Sequence, residues 1–139
     1  MIVKIILILA WVNIILLEGC RDAFFYHNRM HSTKSDNYNI HWLFTWERAV
    51  VLGLLCWLHA ISYSALNTGV FGFSLILMFS FFHNGEYYKV RNYLDKKVYL
   101  KGWWDSSTTS ESFLEFNAVS RTFMAIVGVL GIVASFTFK

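Results

Sequence analysis

Four apolar runs, none broken by a proline, constrain this chain more than any other feature. A helix rises about 1.5 Å per residue, so about 20 apolar residues cross the roughly 30 Å of bilayer hydrocarbon. In lipid every backbone N–H and C=O must find an internal partner, and an unbroken helix supplies one. The runs lie at about 2–18, 43–66, 70–88 and 112–138. They predict an all-α polytopic integral membrane protein: a four-transmembrane-helix bundle that forms one membrane domain over residues 1–139, with loops at about 19–42 and 89–111. A chain of 139 residues that is 56% hydrophobic, 19% aromatic and only 15% charged is excluded from the ordinary soluble class. Its two cysteines, Cys20 and Cys56, fall in or beside apolar runs and suggest no disulfide framework.

The connections differ in character. After the first run, "EGCRDAFFYHNRMH" continues the helical pattern as an extension out of the membrane. Between the second and third, "NTG" at 67–69 reads as a tight hairpin turn. The last connection alternates basic and aromatic residues, with Trp103 and Trp104 suited to headgroup depth and Lys96, Lys97 and Lys101 to anionic lipid. It therefore reads as an amphipathic loop on the bilayer surface, with lipid rather than nucleic acid as its partner. Ser112 stands three residues before Glu115, the capping-box spacing that starts a helix.

Lysine and arginine set the orientation, because cytoplasmic loops retain positive charge. Arg21, Arg29, Lys34 and Arg48 flank the first long loop, while Lys89, Arg91, Lys96, Lys97, Lys101 and Arg121 flank the last. Lys4 and Lys139 fall on the other face. The expected setting is a bacterial-type inner membrane with both termini outside the cytoplasm. The first run ends in Leu17, Glu18, Gly19 and Cys20, which resembles the lipobox of bacterial lipoprotein signal peptides. Glu18 stands where that motif takes a small or apolar residue, so the run is read as an uncleaved span.

Depth along each span brings the ionisable residues to one level. Glu18 and Asp22 lie four apart at the inner end of the first span, and Glu47 and Arg48 open the second. His83 and Glu86 close the third, and Arg121 lies about two turns into the fourth. Charges at the hydrocarbon boundary are costly when alone, so this cluster is expected to point inward. One reading is a salt-bridge collar that fixes helix register. A second is a divalent-metal site of Glu18, Asp22, Glu47, His83 and Glu86. It resembles the ligand set of di-iron carboxylate bundles, but with one His-x-x-Glu in place of paired Glu-x-x-His and with Gly85 inside it. A third is an anion or lipid-headgroup site on Arg48, Arg121 and Lys89.

Other histidines carry separate expectations. His27 and His31 have the i, i+4 spacing of a metal pair, on the helical face opposite Glu18 and Asp22, and would need His41 or Asp36 to complete it. His59 lies about 18 Å beyond Glu47 along its helix, in the outer third of the bilayer, where Ser62, Ser74 or Ser135 could hydrogen-bond it. On the last span Ala125, Gly128, Gly131 and Ser135 form a groove that admits a close helix, from this bundle or from a partner. No serine sits in a Gly-x-Ser-x-Gly elbow and no nucleophilic constellation stands out. Glu18 is similar to the first-helix glutamate of small multidrug-resistance transporters, but stands at the membrane edge and in an unrelated sequence. The resulting expectation is a small accessory or interaction subunit, without a cofactor, that binds another membrane protein or a second copy. A metal-dependent membrane enzyme and a small proton-coupled transporter are the alternatives.

Overall fold

The computed structural model describes residues 2–31, 40–95 and 116–137. Among them the chain forms four helices and no strand: α1 (Ile2–His31), α2 (Ile40–Ala60), α3 (Ala65–Leu94) and α4 (Ala118–Thr137). The expected surface loop around Trp103 and the expected Ser112/Glu115 capping pair lie outside the described residues, as do Lys34 and Asp36.

Successive helices run up, down, up and down. Lys4 at the start of α1 donates to the Phe136 carbonyl at the end of α4, 3.2 Å away. His59 near the end of α2 meets Thr68 in the first turn of α3. All four helix ends therefore share one face. Helix α3 is the hub and packs against the other three. At 30 residues each, α1 and α3 are about 45 Å long and outreach the 20 or 21 residues of α4 and α2 by some 15 Å. Their excess forms a parallel two-helix stalk beyond the collar, with Ala23, Tyr87 and Tyr88 buried between them.

The α2–α3 turn falls at residues 61–64, not at the expected 67–69. Ser64 holds an extended backbone and its hydroxyl accepts from the Asn67 amide at 3.3 Å, a serine N-cap that starts α3 one turn early. Gly69 is thereby an ordinary helical residue, and no glycine among the described residues takes a positive φ. The last helix likewise starts at Ala118, where Asn117 Oδ1 accepts from the Ser120 amide at 2.9 Å.

A narrow apolar core runs up the bundle axis from Leu7, Trp11, Ile15, Phe71, Leu75, Met78 and Ile132. The small residues of α4 serve this core: Ala125, Gly128 and Ser135 are buried. A Cβ on Gly128 would meet the Ser74 carbonyl at 2.8 Å and Met78 Cγ at 2.7 Å, and one on Gly131 would overlap Ser74 Oγ. The groove read from the sequence is thus filled by α3 itself. Trp11 closes α1 onto the same helix, its indole N–H donating to the Leu75 carbonyl at 2.9 Å.

Most of the apolar surface stays outside. Leu17, Val50, Trp57, Leu66, Phe123 and Leu130 are all more than half exposed. Helices α3 and α4 are long and apolar enough to cross a membrane, yet only 28% of the most apolar stretch of each is buried. The core helix of a soluble protein buries most of its apolar side chains, and these two leave most of theirs exposed.

Candidate functional site

At the end of the bundle opposite Lys4 and His59 one chain of hydrogen bonds ties all four helices together. Arg48 of α2 donates from Nε to Glu18 Oε2 at 2.7 Å and from Nη2 to Asp22 Oδ2 at 3.5 Å, both carboxylates belonging to α1. His83 of α3 donates from Nε2 to the same Asp22 oxygen at 3.0 Å. The Asn84 amide satisfies both its neighbours when its NH2 donates to His83 Nδ1 at 3.1 Å and its carbonyl accepts from Arg121 Nη1 and Nη2 of α4, each at 2.8 Å. His83 is then the neutral tautomer with its hydrogen on Nε2. Its ring stacks on Phe79 at 4.9 Å, and Phe79 in turn carries the Arg48 guanidinium at 4.6 Å.

Local sequence explains the convergence. Glu18 and Asp22 share one face of α1, and Gly19 between them lets that face reach α3. A Cβ there would stand 2.5 Å from the His83 carbonyl oxygen and 3.2 Å from the Tyr87 nitrogen. Burial is deep: Glu18 is 3% exposed, Arg121 2% and Asp22 6%. Around this centre the remaining charges pair at the rim. Arg21 donates to Glu47 at 2.6 Å and lies 3.8 Å over the Phe44 ring, and Lys89 reaches Glu86 at 3.2 Å.

Among the described residues the layer holds four carboxylates, Glu18, Asp22, Glu47 and Glu86, and four cations, Arg21, Arg48, Lys89 and Arg121. The five donors of the metal reading do not face a common point: Glu47 turns to Arg21, Glu86 to Lys89, and only Asp22 touches His83. Among the described residues no group of three or more His, Cys, Asp or Glu is placed to hold a metal. Of the cations of the anion reading, Arg48 and Lys89 each face a carboxylate and Arg121 faces an amide.

His27 turns toward α3, where its Nδ1 donates to Asp95 Oδ1 at 2.7 Å while Arg91 holds Asp95 Oδ2 at 3.2 Å. Asp95 caps α3, its amide donating to the Arg91 carbonyl at 2.8 Å. The side chains of His31 and His41 lie outside the described residues.

His59 marks a second polar layer at the opposite end, about 20 Å from the first along every helix. It is 1% exposed and sandwiched between Phe71 at 4.4 Å and Tyr63 at 4.5 Å, with Phe136 at 5.0 Å. Its Nδ1 pairs with Thr68 Oγ1 at 3.0 Å rather than with a serine; Ser74 and Ser135 donate to carbonyls of their own helices. The Lys4 ammonium covers Tyr63 and Phe136 at 5.1 and 4.9 Å.

Sequence reasoning missed Asn84, Arg21, Lys4, Thr68 and Asp95 as site members. An uncharged amide is invisible to a count of charges, although "HN" inside an apolar run pointed to it. Arg21 and Asp95 were findable from helical spacing, three residues after Glu18 and four after Arg91. No protein-family model, curated protein or solved structure matches the chain.

Proposed function

We propose that the protein is a four-span membrane subunit whose buried charges lock its helices in register, leaving its lipid-facing and cytoplasmic surfaces to bind a partner. One observation carries this reading: the chain from Arg121 through Asn84, His83, Asp22 and Arg48 to Glu18 draws on every helix. A catalytic metal needs uncompensated donors and an open coordination position, and here each carboxylate already faces a cation. The narrow core and the two polar layers about 20 Å apart support spans for α1 and α2 as well as α3 and α4. The placement of basic residues supports both termini outside the cytoplasm.

The test is native mass spectrometry of protein extracted from its own membranes in lipid nanodiscs, with elemental analysis of the same sample. The subunit reading expects a discrete assembly larger than 16.2 kDa that holds another membrane protein or further copies. A lone chain carrying stoichiometric iron, zinc or manganese that is lost in His83→Ala would replace it with the metal enzyme. A lone chain whose proton-coupled flux disappears in Glu18→Gln would replace it with the transporter.

A further inference from the structure

Helix α1 turns Leu7, Trp11, Ile15 and Glu18 inward, and its opposite face is apolar and open, with Ile6 56% exposed, Leu9 54% and Leu17 69%. Asn13 is exposed in the middle of that face. Its Nδ2 donates to the Leu9 carbonyl of the same helix at 2.8 Å, and no other hydrogen bond reaches the side chain among the described residues. One amide hydrogen and both lone pairs of Oδ1 are therefore left over. Helical rise puts Asn13 about 14 Å from the level of Lys4 and about 8 Å from that of Glu18. So short a side chain reaches neither polar layer. Where α1 crosses a membrane, the amide stands in hydrocarbon, and an unmet polar group there is costly.

We infer that the outer face of α1 is the contact between two copies of this chain, closed by reciprocal hydrogen bonds between their Asn13 amides. Lipid tails cover the neighbouring leucines but offer the amide no partner. A second copy does, because a carboxamide is donor and acceptor at once and complements itself across a twofold axis. Copies inserted the same way round have parallel α1 helices, so an axis along the membrane normal sets both Asn13 residues at one depth. The flanking sequence fits such a seam. Ile6, Leu9, Asn13, Leu16 and Cys20 follow one another at intervals of three and four, a heptad pattern with Asn13 at an a position. In a parallel pair, a residues face a residues, and one buried asparagine there fixes register and limits the number of strands. The inference rests on the subunit reading above and on α1 as a span, and it names the surface and the partner.

The experiment measures energy transfer between dye-labelled full chains in phosphatidylcholine–phosphatidylglycerol vesicles over a range of protein-to-lipid ratios. Dyes are carried at Tyr93→Cys, an exposed stalk position, with Cys20 and Cys56 replaced by serine. The parent chain is expected to dimerise, Asn13→Leu to need roughly ten times more protein per lipid for half-association, and Asn13→Gln, which keeps the amide, to stay within about three-fold of the parent. Asn13→Leu adds an apolar side chain to an exposed face, so folding is not at stake. In single-cysteine chains oxidised with copper phenanthroline, Ile6→Cys and native Cys20, each seven residues from Asn13, are expected to give covalent dimers. Trp57→Cys on α2 and Val129→Cys on α4, exposed but on other faces, are expected not to. Equal association of Asn13→Leu and the parent, equal cross-linking at all four positions, or a parent that stays monomeric at every ratio overturns the interface. A native assembly that survives Asn13→Leu removes this contact and leaves the subunit reading standing, whereas a chain that is alone both in vesicles and in its own membranes removes both.

Discussion

Asp22 Oδ2 accepts from His83 Nε2 at 3.0 Å and from Arg48 Nη2 at 3.5 Å, so one oxygen of α1 holds both α2 and α3. A single acceptor shared between a neutral ring and a guanidinium concentrates stability at one residue. The rim pair of Arg21 and Glu47, although shorter, is 37% and 48% exposed and is screened by solvent.

Removing Asp22 should therefore matter far more than removing Glu47. Asp22→Ala leaves Arg48 and His83 without their shared acceptor and is expected to lower stability by about 3 to 5 kcal/mol. Asp22→Asn keeps an oxygen for one of them and is expected to lose about half as much. Glu47→Gln should change stability by less than about 1 kcal/mol. Reversible unfolding in mixed detergent micelles measures all three, and equal losses for Asp22→Ala and Glu47→Gln would dissolve the distinction between centre and rim.

The glycines divide in the same way. Gly19 sits against the His83 carbonyl, so Gly19→Val must push α1 off α3 or distort the collar, and a loss of about 1 to 3 kcal/mol is expected. Gly53 and Gly69 have nothing within 4 Å of an added Cβ. Alanine at either is expected to be neutral or to add up to about 1 kcal/mol through helix propensity. The same unfolding assay decides, and a neutral Gly19→Val would show that close approach at this point is not needed.

How much of this was legible in the sequence depends on what kind of information each feature uses. Helix existence was, because long apolar runs without proline leave nothing to break a helix. The common level of Glu18, Asp22, Arg48, His83 and Arg121 was, because helical rise converts residue number into depth. Which acid meets which cation was not, since helix rotation about its axis enters there and a charge count is blind to it. Asn84 escaped for a related reason: it bonds through a dipole and carries no charge. The turn at residues 61–64 was hidden because "NTG" has the stronger composition signal, while Ser64 wins by satisfying an orphan amide that composition does not register.

The proposed orientation rests on basic residues at the collar end and is open to direct labelling. In a chain with Cys20 and Cys56 replaced by serine, Ser62→Cys places a thiol at the α2–α3 turn and Tyr93→Cys one at the stalk. A membrane-impermeant maleimide added to intact cells is expected to label Ser62→Cys and to reach Tyr93→Cys only after permeabilisation. The reverse pattern would invert the topology, and labelling of both in intact cells would remove α3 as a span.

The layer around His59 offers a test of whether this residue does chemistry or only fills space. Its ring is packed between Phe71 and Tyr63, one nitrogen pairs with Thr68, and the other, Nε2, is buried without a hydrogen-bond partner. A buried polar atom left unsatisfied costs about 1 to 3 kcal/mol, and replacing both members of a buried pair by apolar groups of similar shape is often neutral or stabilising. Phenylalanine fits the same sandwich with no ring nitrogen to satisfy. The double variant His59→Phe with Thr68→Val is therefore expected to be as stable as wild type or more stable by about 1 kcal/mol, whereas His59→Ala opens a cavity between three rings and should lose about 3 kcal/mol or more. Assembly of the double variant, followed by native mass spectrometry, supplies the second readout. A double variant that folds with undiminished stability but no longer assembles would show that His59 Nε2 serves the partner, and packing alone would cease to account for its burial.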